Sequence, residues 1–494
     1  AAGSDEVRSA AIEWLARAAE RAAGVGAPER AEVAFLHAAE ICSGEAEALA
    51  HRESAAHMAL RSGRVSESLQ LFEELAEAHR QAGRATDAAR LAGEMGIALG
   101  RLGRAGEAIT LLEQALAVLD GPDPEEAAAR ICSQLARELS IAGRAEEALP
   151  QVERALILAE SLDLPQVTCD AMETKALLLR TKDNFEEALE LFDGTIEIAT
   201  RRGLTSEELL SGHANSADTR MANDLADAIS HLESALAIAR RVGQKYSETF
   251  LSGNLMLAQL FAGDWDSVER CGVTLLGEPR QGLEIINGRM LVLYALRGMA
   301  APARQALSAL SRWEKTDSRE PRTLYGALES TVLLAEGDPE AALEVSQRAL
   351  TVALEAFGLR HEIARQAWPD ACDAALLSGR TFELEVLLRR LGDEPPARVP
   401  PYLTAQLERY RALAGLAAEA SDVSARFGAT VEEFARLGYP YWRARTILDW
   451  GRWCSNHGAP GPGAELVEGA LEEARRLGAS PLLAMAAEPA GPAA

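Results

Sequence analysis

Aromatic residues and lysine are scarce in this sequence, and both shortages narrow the possibilities. Only 5% of its 494 residues are aromatic while 48% are hydrophobic, so any core must be built mainly from small and aliphatic side chains. β-Branched runs that would support a sheet are few, and the dominant Ala, Leu, Glu and Arg are good helix formers. Lysine occurs only at Lys175, Lys182, Lys245 and Lys315, none after a suitable glycine. That removes the phosphate-cradling loop, which needs backbone amides, a Lys and a hydroxyl at fixed spacing. The remaining basic residues are Arg, a bias that fits a GC-rich bacterial genome. HExxH and GxSxG patterns are also missing, so an enzyme is not expected.

The six cysteines, Cys42, Cys132, Cys169, Cys271, Cys372 and Cys454, stand far apart with no CxxC and no histidine at ligand spacing. They read as free thiols of a reducing compartment, with no metal and no cofactor. No run of about 20 apolar residues exists to span a membrane. The opening Ala1–Asp5 lacks a signal peptide's regions and leads straight into a helix, as an internal piece of a longer polypeptide would. A cytoplasmic location is expected. With 75 acidic against 50 basic residues the formal charge is −25, which argues against direct nucleic-acid binding.

What is present is a repeat. Turn signals recur at Gly63-Arg64, Gly103-Arg104, Gly143-Arg144, Asp183-Asn184, Asn223-Asp224 and Gly263-Asp264, a 40-residue step each time. Five residues after each turn start comes a compact residue: Ser68, Ala108, Ala148, Ala188, Ala228 and Val268. The ladder loosens but continues through Gly298, Gly337, Gly379 and Gly458, with a degenerate turn expected near Ala417–Ser421 and an earlier one at Gly26-Ala27-Pro28. Each unit reads as helix A, tight turn, helix B. In the third, Ala108, Leu111, Leu112, Ala115, Leu116 and Leu119 fall on one helical face, and Asp120-Gly121-Pro122-Asp123-Pro124 ends it. A lone hairpin leaves its apolar face bare; stacking on neighbours covers it and winds the array into a superhelix whose groove is lined by A helices. Residues 1–265 form the regular part, and 266–494 a less regular part with aromatic-rich terminal repeats, in one continuous all-α solenoid. Any break is expected between Gly263 and Gly337.

These hairpins, together with Ala11–Ala22 before Gly26-Ala27-Pro28-Glu29 and Pro440–Leu448 before Arg476-Leu477-Gly478-Ala479, resemble the long-period tetratricopeptide repeats of large bacterial signalling ATPases. That group includes nucleotide-cyclase/ATPase fusions and large LuxR-type or maltose-regulator-type activators. The resemblance implies a right-handed superhelical solenoid that binds a protein, peptide or small effector and regulates an upstream ATPase module. The alternative it leaves is the inducer-binding arm of a transcription activator. No helix-turn-helix follows Ala479; were the chain's end the natural one, it would lean toward the cyclase/ATPase group.

Two places attract attention as candidate sites. The middle A helices carry His213, Asn215, Asp218 and Arg220 where aliphatics are expected, with Lys175 and Arg180 one unit earlier and Asn254 and Gln259 one unit later. Such groups either converge on a ligand in the concave groove or bridge helices and meet solvent. Near the other end, nine of the 24 aromatics fall between Tyr402 and Trp453, with Trp442, Trp450 and Trp453 on one helical stripe. The stripe either caps the stack or faces a partner. The carboxylates Glu73, Glu113, Glu153, Asp193 and Glu233 repeat one environment, so they read as a solvated face rather than an acid/base pair. The pairs Arg201-Arg202, Arg240-Arg241, Arg389-Arg390 and Arg475-Arg476 read as caps on helix C-termini.

Overall fold

The computed structural model describes residues 2–119, 126–181, 184–204, 207–280, 282–415, 420–457 and 462–487. Among them are 27 α-helices and no strand. They form a right-handed superhelical solenoid of tetratricopeptide-like hairpins, each helix packing chiefly on its neighbours in sequence. The Asp120–Pro124 stop, Asp183, the expected turn at 417–419 and Gly458 lie outside the described residues.

The turns repeat one geometry for one reason. At Gly63, Gly103, Gly143 and Gly263 the chain leaves helix A with φ between 73° and 85°, a region that a Cβ disfavours. The next residue's N–H then reaches back five positions, as in Arg64 to the Ala59 carbonyl at 2.9 Å and Arg144 to Leu139 at 2.8 Å. Asn does not do the same work. At Asn223 the turn closes instead by a four-residue bond from Asp224 N–H to the Arg220 carbonyl at 2.7 Å, and Asp163 is the one described non-glycine with positive φ. Five residues past each turn start, Ser68, Ala108, Ala148, Ala188, Ala228 and Val268 are all fully enclosed. They sit where helix B crosses helix A, and a small side chain there sets how close the pair can come.

The region between Gly263 and Gly337 is irregular without being a break. Helix B of that unit is split into Ala300–Ser308 and Ser311–Glu314. The residues that follow reach back to a repeat near the start: the Thr316 hydroxyl donates to the Gly103 carbonyl at 2.6 Å, 213 residues away. Asp317 accepts from the Gly106 N–H at 3.1 Å. The same 213-residue separation recurs where Arg476 donates to the Gly263 carbonyl at 3.1 Å, and the Tyr439 hydroxyl meets the Met221 carbonyl 218 residues away. The solenoid therefore winds tightly enough for successive superhelical turns to touch. Its inner face becomes a partly covered channel rather than a fully open groove.

No described helix is long and apolar enough to cross a membrane. The carboxylate ladder Glu73, Glu113, Glu153, Asp193 and Glu233 is exposed throughout. Arg201, Arg240, Arg241, Arg389, Arg390, Arg475 and Arg476 occupy last helical turns.

Candidate functional site

Winding one superhelical turn onto the next forms a partly open axial cavity of about 850 Å³. Its walls are the inner faces of A helices, among them Pro165–Thr181, Glu207–Met221 and Lys245–Ala262, closed from the far side by residues 311–318 and 320–324. An axial cavity shared by so many repeats puts polar groups from distant parts of the chain within reach of one ligand.

Charged residues here are paired across repeats. Asp218 accepts from Arg180 at 2.9 Å and from Arg365 at 3.0 Å, the latter 147 residues away. Burial alone would raise the Asp218 carboxyl, but Arg180 and Arg365 outweigh it and hold it below the usual range. Two nitrogens of Arg365, Nε and Nη1, are buried without a hydrogen bond, while its guanidinium lies 5.8 Å from the Phe261 ring centre. Next to this, His361 meets Glu320 at 3.2 Å. Burial again works against the Glu320 carboxylate, and the hydrogen bond from His361 overcomes it. Arg289 donates to Glu362 at 2.7 Å and to the Gly253 carbonyl at 3.2 Å. These pairs fix the helices around the axis. They leave the amides Asn215 and Asn254 on the cavity wall as adaptable polar groups.

Of the polar residues singled out in the sequence, Arg180, Asn215, Asp218 and Asn254 line the cavity. His213 and Arg220 do not. Helical periodicity turns them away from the axis: His213 packs 5.8 Å from His231 on the neighbouring B helix, with its Nδ1 buried and unpartnered. Burial, then the nearby His231, lowers its pKa to about 4. Arg220 binds Asp193 at 3.1 Å and Asp227 at 3.0 Å, tying three helices together. Lys175 and Gln259 are half-buried and do not line the cavity.

The aromatic stripe is half-buried and packs on its own repeats. Trp450 stacks on Phe427 with centroids 6.5 Å apart and donates to the Ser424 hydroxyl at 2.8 Å. Trp453 packs beside them against the small cluster of Ala412, Val423 and Phe427. Trp442 lies against Tyr402 and Tyr441, with Arg409 and Arg445 over its ring at 5.6 and 5.3 Å. Behind it Arg409 pairs with Asp449 at 2.8 Å and Arg445 with Asp373 at 2.8 Å.

None of the six cysteines is joined in a disulfide. One expectation about them needs correcting: a histidine does come to a cysteine. The bend after Ile41 folds Cys42 onto the first turns of the next helix, so ligand-type atoms of Cys42, Glu47 and His51 lie within 4.8 Å of one another. Glu47 is exposed, and burial followed by the Glu47 carboxylate pushes the Cys42 thiol up, away from the thiolate a metal needs.

Sequence reasoning missed Arg365, His361, Glu320 and Arg289. A signal for such pairs does exist, because complementary residues about one repeat apart tend to face each other. Arg180 and Asp218 are 38 apart, and Arg409 and Asp449 are 40 apart. Arg365, by contrast, reaches Asp218 across the superhelical turn, and no short spacing marks it.

The sequence matches no protein-family profile and no curated protein. Among solved structures it is similar in chain path to the Cut9–Hcn1 hetero-tetramer of the APC/C (12% identity, 94% of this chain and 86% of that chain, TM-score 0.43). It is likewise similar to a Rap protein complexed with competence and sporulation factor (13%, 89% and 99%, TM-score 0.41). A third similarity is to human IFIT1 as a dimer with m7Gppp-AAAA (14%, 81% and 90%, TM-score 0.44).

Proposed function

We propose that this chain is a non-catalytic binding and regulatory module, with its ligand held in the axial cavity and the resulting bias passed to an attached ATPase or signalling domain. The observation that carries the reading is the shared wall of that cavity. Residues of early A helices, such as Arg180 and Asn215, face residues 311–318 from the next superhelical turn across about 850 Å³. A peptide, protein segment or small effector bound there would touch both turns at once. It would favour one superhelical pitch over another, and a change of pitch moves the two ends of the array. A ligand shifts such an equilibrium only by its differential affinity for the two states, and a cavity whose width depends on pitch supplies that difference.

Non-catalytic use fits the state of the ionisable groups. Asp218, Arg365, Glu320 and His361 are engaged with one another, which suits positioning rather than proton transfer to a substrate. The testing experiment is a thermal-shift screen of peptides, metabolites and nucleotides on the full chain, repeated on Asn254→Trp, which narrows the cavity. A ligand at 100 times its Kd adds about 2.7 kcal/mol of stability. The expected result is a stabilising ligand whose effect is lost in the variant. Ligands that stabilise both proteins equally would place binding elsewhere and overturn the reading.

A further inference from the structure

We propose that the recess opening off the axial cavity beside Glu138 binds an organic cation, an ammonium or guanidinium group on an alkyl stem; this rests on the cavity being a ligand site. The recess holds about 190 Å³ between the helices Glu126–Ile141, Pro165–Thr181 and Lys245–Ala262, and it shares Arg101, Arg137 and Tyr246 with the larger space.

Two buried acceptors in it have no hydrogen-bond partner, Ser133 Oγ and Glu138 Oε2. Both residues are nearly fully enclosed, at 4% and 2% exposure. Only the other Glu138 oxygen is engaged, by Gln134 Nε2 at 2.7 Å. Buried acceptors without donors are costly, so a site with two of them favours a ligand that brings donors. Gly100, the penultimate residue of the helix Ala92–Arg101, makes room for the carboxyl, since a Cβ at that position would collide with Glu138 Oε1.

Charge selects among possible donors. Asp170 and Glu173 line the same recess from the next A helix, giving three carboxyl groups with Glu138. Two guanidiniums oppose them. Arg101 is committed, lying 4.6 Å over the Tyr246 ring and donating to the Leu60 carbonyl at 3.3 Å. Arg137 lines both the recess and the larger space and makes no hydrogen bond among the described residues. An ammonium has three donors and a guanidinium five, and their bonds to carboxylates are charge-assisted. Phe250 and Tyr246 supply an apolar wall for the stem. A neutral alcohol brings one donor and no charge.

The site carries its own reporter. Burial raises the Glu138 carboxyl to about 7, against the opposing influence of Arg137 and Gln134 and with a further upward push from Asp317. Asp170, Glu173, Arg101 and Tyr246 complete the charged and titratable groups around it. A bound cation favours the ionised form, so binding near pH 7 expels a proton.

The probe is agmatine, titrated calorimetrically into the full chain at pH 6, 7 and 8 in phosphate and in Tris, with 3-methyl-1-butanol as the neutral control. If only ionised Glu138 binds, affinity at pH 8 exceeds that at pH 6 by about tenfold. Proton release appears as a buffer-dependent heat at pH 7, and Glu138→Gln, which keeps the shape of the neutral side chain, abolishes it. Ser133→Ala keeps the proton release and weakens binding, a second readout should the Gln variant fold poorly. Agmatine binding that ignores both pH and Glu138→Gln overturns the proposal, as does no binding at millimolar concentration. If agmatine fails while another ligand still loses its stabilisation in Asn254→Trp, the cavity stands and the recess assignment falls. If both fail, both fall.

Discussion

The two halves of the solenoid bury their apolar residues in different ways. Before about residue 255 the core is divided into separate groups, one around Phe72, one around Leu112 and one around Leu232, each rich in Ala. From Met256 to Leu482 one large group holds Trp265, Trp368, Tyr402, Tyr410, Phe434 and Tyr439 together, beside a small one around Phe427. Ala at a helix crossing brings two backbones close and reaches no further. A large aromatic spans the gap to the next hairpin: the Tyr410 hydroxyl donates to the Pro369 carbonyl at 2.9 Å, and Trp265 packs 5.6 Å from Tyr441 on a distant repeat. The first half should therefore behave as a chain of nearest-neighbour units, and the second more like one globular core.

The largest effect expected is at the joint between superhelical turns. Asp218→Ala leaves Arg180 and the fully enclosed Arg365 without their shared carboxylate, which should cost about 3–5 kcal/mol. Hydrogen exchange should report the loss in both halves at once. Protection lost only in the helices near Asp218 would mean that the turns are coupled less than their contacts imply.

Next is the aromatic core itself. Trp368→Ala, at a residue 2% exposed and edge-on to Tyr410 at 5.6 Å, should cost about 3–5 kcal/mol and lower protection from Trp265 to Leu482 together. Phe192→Ala is the control, since Phe192 is as buried but belongs to a small group with Ala176 and Ala188. Its effect should stay within its own and adjacent repeats. Trp450→Ala, half-buried in the terminal hairpins, should cost less, about 2–3 kcal/mol, and fray the helices from Ala420 onward.

Titration separates the two kinds of polar site. Native Glu138 holds its proton up to about pH 7 whereas its ordinary value is 4.5. Across that window the folded chain binds the proton that the unfolded chain has released, so stability falls as pH rises from 4.5 to 7, by on the order of 3 kcal/mol. Glu138→Gln should flatten this slope in urea unfolding at pH 5, 6, 7 and 8. His213 has the opposite sign: its pKa is lowered from 6.5 to about 4, so its contribution is lost as pH falls through that range. The smallest effect is predicted for the outer face. Glu153→Ala, on the exposed ladder, should change stability by less than about 0.5 kcal/mol.

Much of this was legible without coordinates. The 40-residue step, the glycine turns, the buried small residue five positions on and the capping arginines follow from local chemistry, because each needs only a hairpin and its neighbour. Among the candidate site residues, Arg180, Asn215, Asp218 and Asn254 stood out as polar groups at apolar positions. His213 and Arg220 stood out for the same reason and point the other way. A polar residue on an A helix has two faces to choose from, and a loosely amphipathic sequence does not separate them.

The sequence by itself determined a helical, stacked, acidic array with aromatics concentrated at one end. The tertiary structure decided how tightly that array coils, and with it the axial cavity, the Asp218–Arg365 pair and the unpartnered Glu138 oxygen. The reason is one of scale. Hairpin geometry is set by contacts within about one repeat, whereas superhelical pitch accumulates small rotations over several repeats. The chain meets itself again at separations such as the 147 residues between Asp218 and Arg365 and the 213 between Gly103 and Thr316, and nothing in a local pattern marks those distances.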